Sequence, residues 1–295
     1  MNAASSRIRF FKFLEYLPPD LNYRVFSGDL NCDIFYIQKN AREGVIELAK
    51  KSVAMGIPIV YDIDDDFNVW PGMHEIDMLN MASAVTTDTD KRAIYLRNYT
   101  KTPVYIVPDA LDYVHNNEIP IIVSDSLKKV TTFGNIVNIE CTADYFNSIS
   151  KNYTKEYIGP YHQNISGTCV NWYLSTFLQV LKTADVAVLI HPMDNKGDMK
   201  SNNRLIVCMS IGLPTIVSDT SAYADTLKKV DCEFLIAKTP GDVNNILTSI
   251  ESPKVREEIG KKFYKYAWDN FSPQMSSSLL SEIFKKVQKQ YATSF

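Results

Sequence analysis

The sequence predicts an α/β protein with two doubly wound domains, each built on a parallel sheet. Apolar, β-branched runs alternate with helical patterns along almost the whole chain, which is the order expected of βαβ units. The connections between these runs are short, as such units require. A chain of 295 residues is longer than one ordinary hydrophobic core needs, so we expect two domains.

The first half of the chain predicts four strands and three helices. Gly56 acts as a stop signal for one helix, and Pro103 precedes the last strand. The predicted strands cover residues 32–38, 57–63, 83–88 and 103–109. The predicted helices lie near residues 8–17, 41–55 and 89–98.

A second series of alternating elements follows a boundary near residues 112–127 and predicts a second parallel sheet. Pro253 and Pro273 break a final region, residues 240–295, that is otherwise predicted to be helical. The predicted strands are 128–134, 156–161, 185–192, 214–219 and 232–237. The predicted helices lie near 139–151, 173–183, 202–211 and 221–229.

Composition narrows the function classes. The formal charge is −3 and the calculated pI is about 5.9, so no general basic field attracts nucleic acid or anionic lipid. The five cysteines are scattered, which predicts free thiols in a reducing cytoplasm rather than disulfides or a zinc cluster. The start of the chain lacks the apolar core of a signal peptide, and no long uncharged run follows. We expect a cytoplasmic protein that is at most peripheral to a membrane, where basic terminal helices would make the contact.

One motif predicts an anion site. Residues 194–219 read DNKGDMKSNNRLIVCMSIGLPTIVSD, which places Lys200 and Arg204 at the start of a predicted helix. The first turn of a helix carries unpaired N–H groups and a positive dipole end, so cations there are unfavourable unless an anion lies among them. The alternative interpretation is a solvated helix start followed by a buried apolar stripe.

A second motif gathers carboxylates at a strand end. Residues 57–70 read IPIVYDIDDDFNVW, and alternation along the strand puts Asp62 and Asp64 on one face. Repulsion between neighbouring carboxylates favours uptake of a proton, which suits a base that acts on an acceptor hydroxyl. Three alternatives stay open: a solvated loop in which Asp66 caps a turn, a divalent-cation site, and the first motif of haloacid-dehalogenase-like phosphatases. Asp66 departs from that phosphatase motif.

The order of five segments resembles two-domain GT-B glycosyltransferases, especially bacterial sugar transferases of the family 4 type. The segments are VTTDTDKRAIYLRN, TPVYIVPDALD, KKVTTFGN, TADVAVLIHP and KSNNRLIVCMSIGLPTIVSD. The resemblance implies Rossmann-like domains that face each other across a cleft, with a trimmed N-terminal domain. It places an acceptor-side domain at residues 1–115, a nucleotide-sugar domain at 116–270, and a helix at 271–295 that packs back toward the first domain.

The resemblance also implies a set of donor-site residues. Lys200, Asn203 and Arg204 would face the donor diphosphate, together with N–H groups of the helix start. Gly134 and Asn135 would let the backbone approach the donor, and His191 would lie at a strand end beside it. Neither a metal nor a cofactor is implied, because the nucleotide diphosphate sugar is itself the donor substrate.

The chain departs from the family at a pair of glutamates that hold the sugar and the ribose. Counting back from Pro214 gives Val207 and Met199 at these positions, and neither side chain accepts a hydrogen bond as a carboxylate does. Asp198 is the nearest substitute for the first glutamate. Donor sugar, stereochemical outcome and activity itself are left open by this departure.

The sequence therefore predicts transfer of a sugar from a nucleotide sugar to a glycan or glycolipid acceptor, in bacterial surface polysaccharide or glycolipid synthesis. The catalytic candidates are Asp62, Asp64 and Asp198. The alternatives are a phosphatase that uses Asp62 and Asp64, and a non-catalytic nucleotide-binding relic of a transferase. No nucleic-acid partner is expected, and the sequence does not indicate an oligomeric state.

Overall fold

The computed structural model describes residues 6–65, 72–111 and 123–292. The chain divides into two compact units, one comprising Met1–Asp112 with Phe271–Phe295 and the other Tyr113–Asn270. The boundaries predicted from the sequence follow residues 115 and 270. In the part of the chain that is described, no helix is long and apolar enough to cross a membrane.

The first unit contains a four-stranded parallel sheet whose strands follow chain order. Its registers pair Val60 with Ala84, and Val85 with Val104. The strands are β1 Phe35–Gln38, β2 Ile59–Asp62, β3 Ala84–Thr87 and β4 Val104–Ile106. All four lie inside the predicted strands, because short apolar runs between turn signals identify buried parallel strands well.

The helices of this unit differ more from the prediction. A π-helical turn, Arg7–Phe11, runs into α1, Lys12–Leu14, so the predicted helix over 8–17 ends early. Pro18 follows closely, and a proline disfavours helical geometry at the residue before it. The next three helices are α2 Glu43–Ala54, α3 Glu75–Met81 and α4 Asp90–Leu96. The seven-residue α3 was not predicted.

The second unit contains a six-stranded parallel sheet. Its strands are β5 Lys129–Phe133, β6 Thr154–Ile158, β7 Thr168–Val170, β8 Val186–Leu189, β9 Thr215–Ser218 and β10 Ile236–Ala237. The spatial order is β10-β9-β8-β5-β6-β7, so the order reverses between β5 and β8. This reversal confirms a doubly wound sheet with a topological switch point. The three-residue β7 was not predicted, and a short 3₁₀ turn, Glu233–Leu235, precedes a shortened β10.

Eight helices complete the described part of the chain. They are α5 Ile136–Asn147, α6 Phe177–Leu181, α7 Asn195–Asp198, α8 Asn203–Met209, α9 Ser221–Lys228, α10 Pro240–Ser249, α11 Pro253–Phe271 and α12 Pro273–Ala292. The predicted breaks at Pro253 and Pro273 are confirmed, since each proline opens a helix, where its missing N–H costs nothing. The four-residue α7 was not predicted.

Two cores cover the two faces of the first sheet. Helices α2, α3 and α4 pack on one face, as right-handed crossovers between neighbouring parallel strands require. On the other face, Phe13 of α1 and Leu280, Ile283 and Val287 of α12 pack against Val60 and other strand residues. Each fully buried side chain of this kind contributes about 1.5–3 kcal/mol. The two ends of the chain thus supply the second helical layer of a sheet that has no reversal of strand order.

Candidate functional site

The switch point of the second sheet brings together four of the predicted donor-site residues. We call Gly134, Asn135, His191 and Arg204 the switch-point cluster. Gly134 and Asn135 follow the end of β5, and His191 follows the end of β8. In open α/β sheets, ligands collect outside the carboxyl ends of strands where the strand order reverses. The cluster therefore occupies the position where such a sheet binds ligands.

Gly134 allows close packing of the backbone at this turn. Its φ is +154°, and a Cβ at this residue would lie 2.5 Å from Cβ of Asn138. Its carbonyl oxygen would also lie 2.5 Å from a Cβ on Gly159. Asn135 then caps α5, because its side chain accepts a hydrogen bond from N–H of Asn138 at 3.0 Å. Local packing thus explains both residues, and their predicted contact with a donor stays a prediction.

Arg204 joins the two strand ends. One terminal nitrogen donates to the carbonyl of Phe133 at 3.2 Å. The other donates to the carbonyl of Ile190 at 2.9 Å and to Nδ1 of His191 at 3.1 Å. All residues of α8 from Arg204 to Met209 are buried, so the Arg204 side chain lies in the interior of the second unit. The guanidinium therefore cross-links β5 and β8 at the switch point.

The charge of Arg204 is not neutralised by a carboxylate within the described residues. Arg204 is only 8% exposed, and its partners are two carbonyls and an imidazole. Its Nε is buried and has no hydrogen-bond partner in the same part of the chain. Burying a cation without a counter-charge is costly. The site therefore favours an anion beside Arg204.

His191 stays neutral in this environment. Burial, followed by the charges of Arg204 and Lys200, lowers its pKa from 6.5 to about 2, although the nearby Ser201 backbone opposes the shift. Nδ1 accepts from Arg204, so the neutral ring carries its proton on Nε2. No hydrogen bond of good geometry reaches this buried Nε2 within the described residues. The ring stacks on Tyr223, with centroids 4.8 Å apart, and burial raises the pKa of Tyr223 to about 12.

The other residues of the motif differ in exposure and in partners. Lys200 is exposed and Asn203 is half-buried. Lys200 acts on the cluster through its charge, which contributes to the lowered pKa of His191. The predicted helix over 202–211 is shorter than expected, since α8 has seven residues and begins at Asn203.

Asp198 has a structural partner in place of the predicted sugar hydroxyl. One carboxylate oxygen accepts from N–H of Ser221 at 2.7 Å, so Asp198 caps the start of α9. Val207, at the position of the second family glutamate, is a buried apolar side chain. Val207 therefore offers no carboxylate at its position, and the predicted contact of Asp198 with a sugar hydroxyl stays a prediction.

The geometry argues against Asp62 as a base or a nucleophile. Asp62 is 1% exposed, and Arg9 donates to both of its oxygens, at 2.6 and 3.0 Å. Thr86 donates to one of these oxygens at 2.7 Å. Arg9 also forms an ion pair with Asp109 at 2.9 Å. Asp62 therefore anchors the N-terminal helical turn to the strand ends, and the pair it was expected to form with Asp64 is replaced by the ion pair with Arg9.

Asp64 forms a separate ion pair near the end of β1. Nζ of Lys39 lies 2.8 Å from Asp64 and 2.7 Å from Asp65. Lys39 has a φ of +57°, a strained conformation for a residue that is not glycine. All three side chains keep some exposure. Asp66, the alternative turn cap, lies outside the described residues. Within those that are described, no group of three His, Cys, Asp or Glu side chains is arranged to hold a metal ion.

Sequence reasoning missed two residues that shape these strand ends. Arg9 lies in the run RIRFFKF between Ile8 and Phe10, and an arginine flanked by apolar residues is the available signal of a buried ion pair. Lys39 follows directly after β1, the strand that neighbours the acidic motif. Its pairing with Asp64 depends on strand order, which no local pattern reveals.

Comparison with known proteins identifies the fold. No family model and no curated protein matches the sequence. A solved structure of a mutant of S. aureus TarM, in complex with fondaparinux, alpha-GlcNAc-glycerol and UDP, matches with a TM-score of 0.59 and 14% identity. That match covers 77% of this chain and 50% of TarM, so the chain spans about half the length of that protein.

Two further solved structures give similar scores. Trehalose-6-phosphate synthase, OtsA, matches with a TM-score of 0.60 and 11% identity over 86% of this chain and 72% of OtsA. The N-terminal domain of Candida albicans trehalose-6-phosphate phosphatase matches with a TM-score of 0.53 and 12% identity, over 85% of this chain and 70% of that domain. The synthase and TarM are GT-B glycosyltransferases. The chain thus has the α/β fold, with parallel sheets, of the GT-B glycosyltransferases.

Proposed function

We propose that the chain is a glycosyltransferase whose second unit binds the diphosphate of a nucleotide sugar at the switch-point cluster. The observation that carries this proposal is Arg204, a buried cation without a carboxylate partner among the described residues, at the ligand-binding end of the sheet. The exposed Lys200 adds a second positive charge whose field reaches the same cluster. The GT-B fold, and the UDP bound to the TarM structure, support a nucleotide as the anion.

In the proposed reaction, the bond between the anomeric carbon and the diphosphate breaks, a bond to an acceptor oxygen forms, and the acceptor hydroxyl releases its proton. Negative charge then develops on the leaving diphosphate, where Arg204 and Lys200 stabilise it. Preorganised charges of this kind supply a large part of enzymatic rate enhancement. Nε of Arg204 and Nε2–H of His191 are buried and lack a hydrogen-bond partner of good geometry among the described residues, so both would donate to the bound donor.

The acceptor is proposed to bind the first unit near Lys39 and Asp64. Arg9 donates to both carboxylate oxygens of Asp62. Of the two predicted catalytic carboxylates at this sheet, Asp64 is therefore the one that is left, and it is partly exposed. It would accept a hydrogen bond from the acceptor hydroxyl and orient that oxygen. An Asp64→Asn variant should lower turnover while nucleotide affinity stays unchanged.

The biological setting is proposed from the resemblance. A glycan or glycolipid of the bacterial surface would be the acceptor, and the cytoplasm would supply the nucleotide sugar. All five cysteines are free, which supports a reducing compartment. A peripheral membrane contact through the basic C-terminal helices is part of the same proposal.

Calorimetry with nucleoside diphosphates and monophosphates tests the proposal. UDP, GDP and ADP supply the panel, and at least one diphosphate should bind more tightly than its monophosphate, because the second phosphate adds a charge for Arg204 and Lys200. The corresponding nucleotide sugar should then release its diphosphate when acceptor is added. Absence of nucleotide binding would contradict the transferase, whereas binding without turnover across acceptors would identify a relic.

The same samples test the phosphatase. A phosphatase built on Asp62 would release phosphate in a magnesium-dependent reaction that does not need Arg204. We expect no such release, since Asp62 is buried under Arg9 and cannot reach a phosphate.

A further inference from the structure

The exposed apolar side chains of the second unit are concentrated at one edge of its sheet. The described residues of this unit include eight large apolar side chains that are exposed, and seven of them follow the carboxyl ends of β5, β6, β7 and β8. These four strands are neighbours in the sheet, so the side chains lie along the same edge of it. We call these residues the apolar row: Ile136, Val137, Tyr161, Trp172, Tyr173, Leu174 and Met193.

The row contains aromatic rings with exposed surface. Trp172 is 43% exposed, Tyr173 is 60% exposed and Tyr161 is 74% exposed. Exposed aromatic residues in contiguous patches mark binding sites more often than scattered ones do. Flat rings of this kind stack on nucleobases, which all present a π-face.

The row adjoins the switch-point cluster. The ring of Trp172 lies 6.1 Å from the ring of Phe177, which lies 4.9 Å from the ring of Phe133. The carbonyl of Phe133 in turn accepts a hydrogen bond from Arg204. Two buried rings thus connect the exposed Trp172 to the residue whose carbonyl binds the buried Arg204, an arrangement that fits a ligand with an anionic end and a flat apolar end.

The carboxylates in the chain segment that carries Arg204 accept hydrogen bonds from the backbone. The segment from β8 to the end of α8 contains two, and Asp194 accepts from N–H of Gly197 at 2.7 Å. Asp198 accepts from N–H of Ser221 at the same distance. Helix α8 itself contains none. This segment consequently offers no carboxylate to hold the paired hydroxyls of a ribose.

We propose that the second unit holds a nucleoside diphosphate by stacking its base on the apolar row, with Trp172 as the main contact, and does not read the ribose hydroxyls. The inference rests on the proposed function and adds the basis of nucleotide recognition. Charge fixes the diphosphate and stacking fixes the base. Ribonucleotides and 2′-deoxyribonucleotides therefore bind this chain with equal affinity.

Calorimetry on the full chain tests the proposal with UDP, ADP and GDP, their 2′-deoxy counterparts and inorganic pyrophosphate. Each deoxy form should bind within about twofold of its ribo form, and pyrophosphate should bind at least about tenfold more weakly than the best nucleotide. Trp172→Ala should weaken nucleotide binding about tenfold and leave pyrophosphate unchanged. Trp172→Phe should keep most of the affinity.

Phe234 provides the matched control. It is exposed to a similar extent, at 50%, but precedes β10 and lies outside the row, so Phe234→Ala should bind every probe as the wild type does. Two results would overturn the base-stacking part of the proposal: pyrophosphate that binds as tightly as the nucleotides, or a Trp172→Ala variant with wild-type affinity. An approximately tenfold preference for ribonucleotides would overturn the indifference to ribose. Tighter binding of farnesyl diphosphate than of any nucleotide would assign the row to a lipid chain and overturn the proposal. If neither pyrophosphate nor any nucleotide binds, the proposed function falls as well.

Discussion

Two buried arginines, Arg9 in the first unit and Arg204 in the second, occupy comparable positions and have opposite surroundings. Each lies at the carboxyl ends of a parallel sheet and cross-links chain segments there. Arg9 forms ion pairs with Asp62 and Asp109 and donates to the carbonyl of Val107. Arg204 donates to two carbonyls and a neutral imidazole.

The difference separates a structural arginine from one that is available to a ligand. A buried charge needs compensation, and removing a partner is costly because the other charge is left unpaired. Arg9 finds its compensation within the chain, so nothing remains for a ligand. Arg204 keeps an uncompensated charge and a buried Nε that no described residue pairs with. In the proposed function, the bound diphosphate supplies the missing negative charge.

The largest expected effect is on stability, after loss of Arg9. Arg9→Met leaves two buried carboxylates, Asp62 and Asp109, without their cation, so the free energy of unfolding should fall by about 3–5 kcal/mol. Urea denaturation measures this change. Adding Asp62→Leu to the variant should recover part of the loss, since an apolar pair tolerates burial. A decrease in the free energy of unfolding of less than about 1 kcal/mol would show that the ion pairs do not anchor the N-terminal turn.

The next effect is a pH dependence caused by His191. Its folded pKa of about 2 lies below the ordinary value of about 6.5, so the ring is neutral in both states above about pH 6.5. Below that pH the imidazole of His191 is protonated in the unfolded chain and stays neutral in the folded chain. The free energy of unfolding then falls by up to about 1.4 kcal/mol per pH unit.

Denaturation of wild type and His191→Gln between about pH 7 and 4.5 isolates this contribution. The wild type should lose about 2–3 kcal/mol more than the variant over this range. His162→Gln, which removes a histidine outside the core, should keep the wild-type fall. Equal losses in wild type and His191→Gln would mean that His191 accepts a proton in the folded state.

Arg204 itself should affect binding more than Arg256 does. Arg204→Ala should weaken binding of the best nucleoside diphosphate by about 1.5–3 kcal/mol, because a charged hydrogen bond to the ligand is lost. Arg256 is the matched control, since it is also buried in the second unit and donates to the backbone carbonyls of Ile250 and Ser124. Arg256→Ala should lower stability and leave affinity unchanged. Equal affinities for both variants would remove Arg204 from the site.

The smallest effect separates the two roles of Asn135. Asn135→Ala should cost about 1 kcal/mol of stability, because the cap of α5 is lost. Asn135→Asp keeps a good cap and adds a negative charge near Arg204, so it should retain stability and weaken diphosphate binding. Denaturation and calorimetry on the two variants make the comparison. If Asn135→Asp binds the diphosphate as the wild type does, Asn135 lies outside the field of the site.

The sequence predicted the sheets better than the contacts at their edges. Runs such as those of β2 and β8 are apolar, short and bounded by turn signals, so local pattern alone identifies them. The short elements α3 and β7 have too few residues for a period to emerge. The resemblance to GT-B glycosyltransferases, and no local pattern, assigned Gly134 and Arg204 to one site although they lie far apart in the chain.

The roles of the carboxylates could not be predicted in the same way. Asp62 reads as a base until Arg9, 53 residues away, is known to reach it. Asp198 reads as a substitute for a glutamate until Ser221 donates to it. These partners depend on long-range packing of side chains, which leaves no local periodicity. The positive charge at Arg204 was visible in the sequence, and its lack of a counter-charge was not.

A crystal structure of the chain with its best-binding nucleoside diphosphate tests the central claim most directly. A phosphate oxygen within hydrogen-bond distance of Nε of Arg204, at the carboxyl ends of β5 and β8, is the predicted result. A nucleotide bound elsewhere, with Nε of Arg204 still unpaired, would contradict the account.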